Sequence, residues 1–164
     1  MKAASRRVST RFRQHGVAAL EFALIFLFGL LPLLMLSFTG VLVFAAQQSL
    51  TLAAAEGSRA ALRYAATDAG RTSQACAFAK SSMQWLLDFS GQTSPCATAG
   101  GGLAPITVQF APCVSDASVR CVSVITAYDY DRHPFLPGTA ALFHLTFGNR
   151  GLRSAAVVQL EPNS

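Results

Sequence analysis

The residue with the most chemistry to account for is Glu21, the single ionisable side chain in the thirty-residue apolar run Val17–Ala46. A charged side chain at the centre of a membrane helix costs about 2.5 to 3.5 kcal/mol on insertion scales, and less near the interface. A carboxylate there either reaches the headgroup region or meets a cation. Glu21 lies only one turn into the run, so its side chain can extend back to the interface, beside the positive end of the helix dipole. Meeting a cation requires a new charge. Cleavage after Gly16 would expose the α-amino group of Val17, largely protonated below its reference pKa of about 8. That amine can pair with Glu21 of the same or a neighbouring chain in low dielectric. Gly16 itself has no Cβ, which lets the backbone lie close to a protease at the membrane face.

The remaining reactive side chains lie beyond the run. Cys76, Cys96, Cys113 and Cys121 are an even set, as disulfides in an oxidising compartment require. Three pairings are open, and short local loops favour Cys76 with Cys96 and Cys113 with Cys121. No Cys-x-x-Cys spacing points to zinc, and neither a metal nor a cofactor is expected. Asp129 and Asp131 flank Tyr130 near His133 and can be drawn as an acid–base cluster. The simpler reading makes them the polar side of a strand and its turn. Without a nucleophile elbow, a phosphate-binding glycine loop or a metal-ligand spacing, the chain is not expected to be an enzyme. Trp85, with Leu86 and Phe89, reads as the apolar edge of a helix rather than as a stacking platform for a ligand.

The elements that position these residues follow from charge and hydropathy. Only 13% of the 164 residues are charged, against roughly a quarter in an average soluble domain, while 52% are hydrophobic. The net charge of +5 lies entirely in residues 1–16, which hold Lys2, Arg6, Arg7, Arg11 and Arg13 and no acid. Val17 to Ser164 carries eight basic and eight acidic residues. The basic balance thus belongs to a leader, and no nucleic-acid partner is expected.

Val17–Ala46 exceeds the roughly 20 residues a membrane span needs and the roughly 7 to 15 of a signal-peptide core, so it reads as a transmembrane helix. The Ala53-x-Ala55 pattern falls too late for signal-peptidase cleavage. Basic residues before the run, and none from Gln47 to Ser58, place the N-terminus in the cytoplasm by the positive-inside rule. Pro32, between Gly29 and Gly40, marks a bend. Residues 47–66 read as a helical extension beyond the membrane, rich in Ala and Leu and free of Pro. Residues 67–164 make one small domain. Ala75–Phe89 is helical, the Gly100-Gly101-Gly102 region is a long loop, and strands are expected at Ile106–Phe110, Val119–Tyr130 and Leu152–Leu160. A short helix against a three- or four-stranded antiparallel sheet gives an α+β fold.

Arg11-Phe12-Arg13-Gln14-His15-Gly16-Val17-Ala18-Ala19-Leu20-Glu21-Phe22-Ala23-Leu24 resembles the class III leader of type IV pilin-like proteins, most closely that of TadE-like proteins of tight-adherence (Flp) pilus systems. The strand ending at Tyr130, the Pro-containing connection and the last strand, running through Ala155, Ala156 and Val157 to Glu161, are similar to the end of those proteins. The resemblance implies a pseudopilin of the bacterial inner membrane, single-pass, with a periplasmic C-terminal domain. It also implies cleavage between Gly16 and Val17 by prepilin peptidase, with Glu21 as the hallmark acid and Phe22 as the aromatic that often follows it. The implied partners are other pilin-like subunits and the pilus assembly machinery. The alternative is an unprocessed single-pass anchor that presents a periplasmic binding or scaffolding domain.

Overall fold

The computed structural model describes residues 14–63, 67–92, 96–98, 104–147 and 151–160. The five basic leader residues, the Gly100-Gly101-Gly102 run, Ala66 and Glu161 lie outside the described residues. The chain divides into two compact units, Met1–Gly40 and Val41–Ser164.

The described part of the first unit, residues 14–40, is helical because Leu, Ala and Phe dominate it. Helix α1 (Gln14–Ile25) passes into a π-helical turn at Phe26–Leu30 and then into α2 (Leu31–Ala61). Just before Pro32, where a bend is expected, the helix changes register. Proline offers no N–H to the Phe28 carbonyl and crowds it with its ring. The turn before it widens, and the Leu31 N–H donates to the Phe26 carbonyl five residues back. Every residue from Gly16 to Phe38 is exposed. Gly16–Ala61 is one helix long and apolar enough to cross a membrane.

In the second unit, α2 buries Ala46, Leu50, Ala53, Ala54, Gly57, Ser58, Ala60 and Ala61, at the three- and four-residue steps of one helix face. The face is built of small side chains because its neighbours come very close. A Cβ on Gly57 would stand 3.1 Å from the Ala75 carbonyl oxygen, from the Ala79 Cβ and from the Val124 Cγ1. Ala75 and Ala79 belong to α3 (Asp68–Ser82), and Val124 to β3 (Arg120–Tyr128).

Helix α2 stops at Ala61 rather than Ala66, and the residues that stop it are specific. The Leu62 and Arg63 N–H groups bond to carbonyls three residues back, Arg59 and Ala60, which tightens the last turn. Arg71, only 4% exposed, donates from Nη1 to the Ala61 carbonyl at 3.1 Å. A buried cation there meets the negative end of the helix dipole. Thr67 caps α3 by accepting the Gly70 N–H at 3.2 Å. After Met83 the chain resumes as α4 (Gln84–Ser90), so the helical stretch expected over 75–89 is two helices. Gly91, at φ 66°, ends α4 in the left-handed conformation that glycine adopts without strain.

The sheet has four strands in the order β1 (Cys96–Thr98), β2 (Ile106–Pro112), β3 and β4 (Leu152–Leu160). β2, β3 and β4 are antiparallel, in registers that set Val108 opposite Val124 and Val124 opposite Ala156. β1 runs parallel to β2, so the sheet is mixed rather than wholly antiparallel. β1 is only three residues long, and a disulfide from Cys96 to Cys76 ties it to α3. The second disulfide joins Cys113 to Cys121 and closes the β2–β3 hairpin, where the Cys113 N–H also donates to the Val119 carbonyl at 2.8 Å. α5 (Thr139–Phe147) lies between β3 and β4 and completes an α+β domain. The inner sheet face supplies Ile106, Val108, Val122 and Val124 to the core, each worth about 1.5 to 3 kcal/mol when fully buried. Thr126, fully buried on the same face, satisfies its hydroxyl by donating to the Leu50 carbonyl of α2 at 2.9 Å.

The Gly57 contact predicts an asymmetric response to substitution. Gly57→Leu forces α2 off α3 and β3 and should destabilise the domain by about 3 kcal/mol or more. Gly57→Ala should change stability by less than about 1 kcal/mol, its helix-propensity gain offset by three tight contacts. Thermal unfolding of the full chain in detergent, followed by circular dichroism, checks both; a Leu variant that melts with the wild type contradicts this packing.

Candidate functional site

The candidate residues at the head of the apolar run fall on one helix. Val17 and Glu21 are four residues apart in α1, so they share a face one turn apart, about 6 Å along the axis. A free amine at Val17 would therefore lie within one turn of the carboxylate. Among the described residues, the Glu21 side chain forms no ion pair or hydrogen bond. Val17 is 68% exposed and Phe22 70%, and the Phe22 ring stacks on Phe26 one turn later, with centroids 6.4 Å apart. Nothing lies within 4 Å of a Cβ built on Gly16.

Helix α1 is described from Gln14 onward, so the Gly16–Val17 bond lies within a helical turn. Proteases take their substrates extended, and cutting here requires that turn to open.

Asp129, Asp131 and His133 do not converge on an open cleft. Asp129 pairs with Arg132 at 3.3 Å and accepts its N–H at 3.2 Å, which closes the turn after β3. Asp131 pairs with His144 of α5 at 2.8 Å rather than with His133. His133 contributes its backbone carbonyl, which accepts the Tyr128 hydroxyl at 2.7 Å. All four cysteines are in the two disulfides.

Phe135, in the connection to α5, is the hub that sequence reading passes over. Its ring meets Trp85 at 5.9 Å, and Phe89, Tyr128 and Tyr130 at 5.4 Å each. Tyr130 continues the cluster to Phe143 at 4.5 Å. The signal was an aromatic set between two prolines, His133-Pro134-Phe135-Leu136-Pro137, where fixed backbone angles hold a ring in place. Trp85 is both core and surface: it stacks on Phe135, donates from Nε1 to Ser49 Oγ at 2.8 Å and remains 40% exposed.

Burial holds the Tyr128 hydroxyl well above the usual phenol range, and the neighbouring Tyr130 and Asp129 add to the effect. By contrast, the Ser118 hydroxyl and N–H lower the Asp116 carboxyl in the β2–β3 loop.

No protein-family model matches the chain, and neither does any curated protein or solved structure.

Because the folded state keeps Tyr128 protonated while the unfolded chain loses that proton above about pH 10, the tyrosine's contribution is intact below pH 10. Above it, stability should fall by at most about 1.4 kcal/mol per pH unit. Urea midpoints of the disulfide-bonded chain across this range should decline less steeply for Tyr128→Phe, and parallel curves would refute the assignment.

Proposed function

We propose that this chain is a TadE-like pseudopilin, a structural and assembly component of a tight-adherence (Flp) type IV pilus system, processed by prepilin peptidase after Gly16. The observation that carries the reading is the lone carboxylate. Glu21 stands one turn beyond Val17 on an apolar helix, without a partner among the described residues. An acid in such a place needs a cation. Cleavage after Gly16 creates one at the right turn of the helix, on this chain and on every neighbouring copy.

The rest of the chain agrees with that role. Residues 17–46 act as a single span of the bacterial inner membrane, with the basic leader in the cytoplasm and the disulfide-bonded domain in the oxidising periplasm. Assembly with other pilin-like subunits packs the apolar helices side by side and brings Glu21 of one to Val17 of the next. A second reading has its own observation: the helix runs unbroken through the Gly16–Val17 bond, as in an unprocessed anchor that presents its domain to a periplasmic partner.

Processing separates the two. With a prepilin peptidase co-expressed, N-terminal sequencing of the membrane-extracted protein should begin at Val17, and Gly16→Ala should abolish most of that product. An intact N-terminus in a host that processes other pilin-like leaders favours the anchor. Glu21→Gln should still insert and be cleaved, but should lose its co-purification with pilin-like subunits, because an amide cannot pair ionically with the amine. Undiminished co-purification would make Glu21 a surface acid only.

A further inference from the structure

The ties between α2 and the sheet act as a ruler along the helix. Gly57 lies against Val124, and the Leu50 carbonyl takes the Thr126 hydroxyl at 2.9 Å. Gln47 donates from Nε2 to the carbonyl of Arg153, the register partner of Ala127, at 3.0 Å. Passing from Gly57 back to Gln47 on α2 is therefore passing from Val124 toward Tyr128 on β3. Tyr128, Tyr130 and Phe135 continue in that direction, so the aromatic cluster sits at the Val41 end of the second unit, where Val43 packs on the buried core. The cluster is not closed there. Phe89 is 51% exposed and Trp85 40%. α5, joined through Phe143 and Tyr130, contains no Lys, Arg, Asp or Glu.

From this end the chain leads back into the apolar run. The run read as the span ends at Ala46, and Ser49, whose Oγ accepts the Trp85 indole N–H at 2.8 Å, lies three residues, about 4.5 Å, beyond it. Residues just beyond are then at headgroup level, where Trp and other amphipathic rings collect at membrane interfaces. We propose that the Val41 end of the second unit, led by Trp85 and Phe89, rests in the headgroup–acyl boundary of the bilayer that the apolar run crosses. The inference depends on the reading of residues 17–46 as a membrane span. Its lipid chemistry is neutral. Among the described residues the acids at this end are engaged, Asp88 with Gln84 at 2.8 Å, Asp129 with Arg132 and Asp131 with His144, and the three outnumber the two arginines, Arg132 and Arg153. An anionic headgroup finds no attraction here, so contact rests on the rings.

Trp85 is the only tryptophan, which makes the test direct. The full chain is reconstituted in phosphatidylcholine vesicles brominated either near the headgroup end or near the methyl end of the acyl chains. Trp85 fluorescence should be quenched about twofold more by the shallow bromine, as for an interfacial ring. Adding phosphatidylglycerol should not increase the quenching, and Phe89→Ser should reduce it. A Phe28→Trp reporter in a Trp85→Phe background reads the span itself and should be quenched most by the deep bromine. If the Phe28→Trp reporter is quenched and Trp85 by neither lipid, the interfacial contact is refuted while the span stands, whether Trp85 is then open to aqueous acrylamide or shielded by another protein surface. If neither position is quenched, the span reading fails and takes this inference with it.

Discussion

The second unit depends on how closely α2 approaches what lies on it. Three atoms, one from backbone and two from side chains, surround the place where residue 57 would carry a Cβ, each 3.1 Å away. Two helices and a strand meet there only because Gly57, Ala75 and Ala79 are small. The contact brings the α2 backbone within reach of the Thr126 hydroxyl, and it lets Arg71 cap the end of α2 from inside the fold. A larger seam would separate these polar groups from the α2 carbonyls, at about 1 to 3 kcal/mol for a buried group left short of a bond.

The two units use the same helix under opposite rules. From Gly16 to Phe38 no face is covered, and large apolar side chains point all round. From Ala46 to Ala61 one face is small and buried while Gln47, Gln48, Thr51 and Leu52 form an outer, shallow face. A helix of uniform Leu and Phe could not have met α3 so closely, and one of uniform Ala could not have supplied the apolar surface of the first unit. Residue size along the sequence changes where exposure gives way to burial.

Much of this was legible in the sequence, for physical reasons. The long helix follows from hydropathy, and the strands at 106–112, 120–128 and 152–160 follow from alternation on a sheet with one buried face. The end of α2 at Ala61 was not legible, because local propensity favours continuing to Ala66 and the stop comes from Arg71, ten residues away. β1 was hidden by its length: three residues show no period, and its parallel partner and disulfide are tertiary facts. α5 was hidden because Thr139–Phe147 is too short and too evenly apolar to show a helical stripe. At the head of the run, Gly16 and Glu21 are visible as residue types, and the helix adds the common face of Val17 and Glu21.

The order of the cysteines has a consequence for biogenesis. Cys76 pairs with Cys96, and Cys113 with Cys121, so the first thiol along the chain joins the second and the third joins the fourth. A polypeptide emerging vectorially from a translocation channel presents its thiols in that same order. An oxidant that joins each new thiol to the last one free makes only native bonds. β4, synthesised after all four, can then dock on a hairpin already closed, and no step of shuffling by an isomerase is required.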